Sequence, residues 1–167
     1  MKKIALLLTI LGTFNSVKAQ VAIGKSSMTN TSVILEFADG TTNGINLPLV
    51  STLPTASSAI NGTLLVDRND AKVKWCENGA WVDLSDAGSV TALTANPSAS
   101  SGTGAVIGGT SNPIGVLELR ATDKAMVLPH VISPEASVKS PVPGMICYDT
   151  TSRSLAIFDG VKWNYWN

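Results

Sequence analysis

One histidine, two cysteines and four tryptophans are among the scarce side chains of this 167-residue chain that could do chemistry, and their placement limits what the chain can do. His130 is the single imidazole, so a zinc-type centre would have to be completed by carboxylates or thiols, and no ligand spacing of that kind occurs. A histidine directly after Pro129 reads as a surface or edge residue. Serines abound, yet no Gly-x-Ser-x-Gly elbow is there to present one as a nucleophile. The paired acids of a glycosidase must face each other across a cleft. Asp67 with Asp70, or Glu77 with Asp83, are pairs to consider, and turn positions explain them better. Asp67-Arg68-Asn69-Asp70 also lacks the glycine and closing glutamate of a calcium loop. Gly102 to Gly109 has neither the lysine nor the following helix of a phosphate cradle. The reading is of a non-enzymatic chain with no catalytic, metal or cofactor-binding residues.

Composition and the N-terminus set the surroundings. Met1-Lys2-Lys3 followed by the apolar run Ile4 to Leu11 is a signal-peptide layout, too short to span a bilayer, and Val17-Lys18-Ala19 offers small residues for cleavage after Ala19. Residues 1–19 are therefore expected to be removed, leaving 167 − 19 = 148 residues without a membrane span, in a periplasmic, outer-surface or secreted setting. The loss of Lys2, Lys3 and Lys18 changes the balance from 12 basic against 12 acidic residues to 9 − 12 = −3. A faintly acidic chain with no basic cluster cannot neutralise a phosphate backbone, so nucleic acid is excluded as an expected partner.

The chain also repeats itself. Val21-Ala22-Ile23-Gly24, Val33 to Phe37, Asn46-Leu47-Pro48, Asn61 to Asp67 and Asn78 to Trp81 are answered in order by Ala105 to Gly108, Val116 to Leu119, Val127-Leu128-Pro129, Pro143 to Asp149 and Asp159 to Trp163. The spacing is nearly constant, since 117 − 35, 144 − 62, 149 − 67 and 163 − 81 all equal 82. Two repeats, 20–84 and 105–167, are expected, joined by a Ser/Ala/Gly/Thr-rich flexible linker over 85–104.

Within each repeat the pattern has a period of two. Val33, Leu35 and Phe37 fall on one face against Ile34 and Glu36, the Leu-Pro pair closes an extended edge segment, and two polar turns join three strands into an antiparallel meander. Pro54 and Pro134 near the starts of polar segments allow a short helix in each repeat. The fold class is therefore mainly all-β: two tandem copies of one small module with at most a short helix each. About 60 residues bury too little surface to stand alone, so the copies must cover each other or several chains must wind together.

Cys76 and Cys147 are a candidate disulfide, since two thiols in an exported chain commonly pair. The repeat register sets Cys147 opposite Leu65 and Cys76 opposite Phe158, so a bridge would tie different strands of the two copies, within a chain or between chains. Trp81 and Trp163 close their modules, while Trp75, Tyr165 and Trp166 are candidate contact aromatics that could line a glycan or protein contact.

The blocks Leu117-Glu118-Leu119, Lys124, Val127-Leu128-Pro129, Gly144, Tyr148-Asp149-Thr150 and Asp159-Gly160 with Trp163 resemble a repeat of phage tail-fibre-like proteins and of exported proteins of Bacteroidetes-type bacteria. The first copy departs from it, with Val66 at the tyrosine position and a shorter Asn78-Gly79-Ala80-Trp81 close. The resemblance implies a structural or adhesive surface protein and a homo-oligomer with trimers favoured; separately, a cell-surface glycan or protein is an expected partner. The alternative is a secreted carbohydrate-binding module that uses the exposed aromatic residues.

Overall fold

The structure is a computed structural model that describes residues 19–55, 59–93, 104–109, 113 and 115–167. The expected signal segment, save Ala19, and the linker residues 94–103 lie outside the described residues. The described chain is mainly β. The first half carries β1 (Val21–Ile23), β2 (Val33–Phe37), β3 (Ile45–Asn46), β4 (Leu49–Val50), β5 (Leu64–Asp67), β6 (Lys72–Glu77) and β7 (Ala80–Asp83). The second carries β8 (Ala105–Ile107), β9 (Leu117–Leu119), β10 (Ala125–Met126), β11 (His130–Val131), α1 (Pro134–Ser137), β12 (Met145–Asp149), β13 (Ser154–Phe158) and β14 (Trp163–Trp166).

Two sheets share one strand order, β4-β5-β6-β7 in the first half and β11-β12-β13-β14 in the second, each a short parallel strand followed by an antiparallel meander. The parallel strand is an addition to the three strands expected. It forms directly after Leu-Pro because proline, which cannot donate, still accepts: Pro48 takes the Val66 amide at 2.9 Å and Pro129 takes the Tyr148 amide at 2.9 Å.

Loop chemistry sets the hairpins. Four residues join β5 to β6 and β12 to β13, and the last of each loop, Ala71 at φ 55° and Arg153 at φ 58°, takes the left-handed conformation. Between β6 and β7 the loop is only Asn78-Gly79, with φ 52° and 75°, the pair of positive angles that a twisted two-residue hairpin requires. The matching loop of the second half is longer, and Asp159 fills it, its Oδ1 accepting the Val161 and Lys162 amides at 2.7 and 2.8 Å and its Oδ2 the Asn164 side chain at 2.8 Å. The one α-helical turn among the described residues, α1, starts at a proline, where the missing amide costs nothing. The segment 51–60 that would hold its counterpart falls partly outside the described residues.

The two halves cover each other. Val66, Ala71 and Val73 from the first and Ile146 and Ile157 from the second form one buried cluster with Leu93 of the expected linker. Residues 85–93 of the expected linker pack. Ser85 accepts the Val73 amide at 2.9 Å, the Asp86 amide meets Asn164 at 3.3 Å, and Val90–Ala92 makes a 3-10 turn. A second cluster of Val131, Cys147, Ala156 and Trp163 lies on the opposite face of the second meander, with Val138 packed against it.

Strands are also traded across the halves. β10 completes the β1-β2 pair as a third parallel strand, and β3 pairs antiparallel with the start of β12. Leu47 extends that contact by donating to the Gly144 carbonyl at 3.1 Å. Gly144, at φ 85°, sits so close to Val66 that a side chain there would collide with it. The remaining pair, β8 with β9, has no third strand among the described residues.

Candidate functional site

The groups that sequence chemistry singles out are mostly spent on structure. His130 lies 3.6 Å through Nδ1 from Asp39 and stacks obliquely on Tyr148, ring centroids 5.3 Å apart. Among the described residues no cluster of three His, Cys, Asp or Glu could hold a metal ion. Asp67 and Asp70 both grip Lys74, at 3.0 and 2.6 Å, and Asp83 holds Lys72 at 2.6 Å, so the acids form a charge ladder along one sheet rather than a facing pair. Burial pushes the Asp67 carboxyl upward, but hydrogen bonds from Asn69 and Lys74 outweigh it and leave the acid below its ordinary range. Asp149, at the matching turn, behaves the same way. Its burial is overcome by donation from Ser152, Thr151 and Ser133.

Cys76 and Cys147 are both fully buried free thiols, one in each meander. Cys147 faces the second cluster, where burial, with Asp149 nearby, pushes its thiol up to about 11. Such a sulfur is a small apolar filler rather than a nucleophile.

The candidate aromatics are not gathered on one platform. Trp75 lies on β6 in the first meander, paired with Leu64 and Val82. Tyr165 and Trp166 are neighbours on β14 and therefore point to opposite faces. Trp166 is held by its indole N–H, which donates to the Leu84 carbonyl of the first half. Tyr165 flanks a shallow depression of about 430 Å³ lined also by Ser133, Glu135, Ala136, Asp149 and Ser152. The buried carboxylate there, Asp149, already accepts four hydrogen bonds, which leaves little capacity for a polar ligand.

Several large apolar side chains stay exposed. Val116 is 69% exposed and Leu117 50%, side by side on the β8-β9 pair, while Ile132, Val142, Val161, Tyr165 and Trp166 are exposed elsewhere in the second half. Sequence reasoning missed the first two because their alternation is that of an ordinary half-buried strand. Their counterparts 82 residues earlier, Ile34 and Leu35, are each only 2% exposed, so the repeat register carries no sign of the difference.

By alternation alone Glu36 in β2 is the polar member of its strand. It is buried, with its carboxylate receiving Lys25 at 2.7 Å, the Thr29 amide at 2.8 Å and the Thr29 hydroxyl, which fastens the 24–32 loop to the strand. Those donors, Lys25 foremost, hold its pKa down to about 2. Its counterpart Glu118 pairs with Arg120 at 2.7 Å.

No curated protein and no solved structure matches the chain. A family model does: residues 94–167, which include β8 and β9, match the phage tail like trimerisation region.

Proposed function

We propose that the chain is a non-enzymatic, tail-fibre-like structural protein that works as a homotrimer outside the inner membrane, joined through its second half and displaying the rest as spacer and adhesive contact surface. It is built of two copies of one β unit, 20–84 and 105–167, with the export signal removed after Ala19. The observation that carries the trimer is the match of residues 94–167 to a trimerisation region. The shared strand order of the two meanders supports the duplication, as do left-handed residues at matching positions, Gly62 with Gly144 and Ala71 with Arg153. The polar side chains gathered in the turns are engaged in capping and ion pairs, which supports a scaffold role over chemistry.

Light scattering on the chain lacking residues 1–19 tests the reading. The expected mass is three chains, stable to dilution into the micromolar range; a single-chain mass across that range overturns it.

A further inference from the structure

In the first half, β2 lies between β1 and β10, and its side chains Val33, Ile34 and Leu35 are at most 5% exposed. The ladder alternates. Ala38 donates to Ile23 on the β1 side, whereas the Leu35 carbonyl accepts the Val127 amide at 2.9 Å on the β10 side. A second layer covers the strand as well, for Ile34 Cδ1 lies where a side chain on Gly108 would stand, at the end of β8.

Among the described residues the same strand in the second half has no third strand beside it. Ala105 donates to Val116 at 2.9 Å and Arg120 to Ile107 at 2.9 Å, so Val116, Glu118 and Arg120 turn their backbone toward β8. By alternation Leu117 and Leu119 turn their amides and carbonyls the other way, where no strand lies among the described residues. Val116 and Leu117 are bare where Ile34 and Leu35 are covered. Two parallel strands with leucine and valine in water are an unstable arrangement, since parallel sheets persist when both faces are covered and unpaired edges recruit other chains. In stacked repeats the uncovered terminal face is the one that takes the next unit.

We propose that the outward edge of β9 at Leu117 and Leu119, together with the exposed Val116, is the contact at which a second copy of this chain is bound. The occupant follows from two observations. The chain already covers the corresponding strand β2 with its own second half, and β9 lies inside the segment that matches a trimerisation region. This rests on the trimer reading and names the surface that makes it.

The test is Leu117→Asp in the full chain lacking residues 1–19, with mass by light scattering and β content by circular dichroism. The expected result is a fall from three chains to one with an unchanged β spectrum, because a half-exposed side chain is not needed to fill the core. A Leu117→Asp protein that remains trimeric, beside a trimeric parent, overturns this contact and leaves the trimer standing. A monomeric parent overturns both. Hydrogen exchange on the unaltered trimer gives a readout independent of the variant. The Leu117 and Leu119 amides are expected to exchange at least tenfold more slowly in the trimer than after dilution to single chains, and equal rates overturn the contact.

Discussion

Glu36 sits in a strand whose other members, Val33, Ile34, Leu35 and Phe37, are all apolar, and its burial is tolerable because three donors converge on it. With the folded acid near 2 against an ordinary 4.5, the bound proton disfavours the native state. Its stabilisation is therefore fully present above about pH 4.5 and is lost as pH falls toward 2. Glu36→Gln is expected to lower the melting temperature at neutral pH and to flatten the acid limb of a melting-temperature curve between those values. Asp67 and Asp149, also held low, keep the rest of that limb in the variant. An acid limb as steep in Glu36→Gln as in the parent would show that Glu36 contributes nothing there. The alternating pattern made the strand legible, but a buried glutamate looks the same as a solvated one in sequence. Only the distant pairing with Lys25 and Thr29 tells them apart.

At the scale of the element, turns account for most of what the sequence reveals. Asn78-Gly79 announced its hairpin, and the Leu-Pro pairs announced extended edges, because a local backbone constraint is written in the residues themselves. The register and the two meanders followed from that. A paired glycine experiment separates the two demands a turn can make. Gly79 has open space around it, so Gly79→Ala carries only the cost of a left-handed alanine, about 1–2 kcal/mol by urea denaturation. Gly144 has a similar φ and also abuts Val66, so Gly144→Ala is expected to cost distinctly more. Equal losses at the two sites would show that Val66 yields freely. The linker was the least legible element. Its small polar residues carry no periodicity, so the burial of Leu93 between the halves depends on a cleft that exists only after both meanders have formed.

At the scale of the molecule, the sequence left open whether the copies pack together or separate chains cover them, and the structure shows the halves packing. Val66, Val73, Ile146 and Ile157 share one core, so the halves are expected to melt together. Ile157→Ala, at a side chain with no exposure, is expected to cost about 2–5 kcal/mol, and calorimetry should show one transition shifted as a whole rather than two of which one moves. The interchange of β3 and β10 was not legible, since two-residue strands carry no pattern and their partners lie far along the chain. That interchange bears on how the chain is born. β2 cannot gain its third strand until residues 125 and 126 have emerged beside it, 125 − 33 = 92 residues after its own first residue. Meanwhile a nascent chain carries Val33, Ile34 and Leu35 on an open ribbon, a window in which aggregation or a holding chaperone competes with folding.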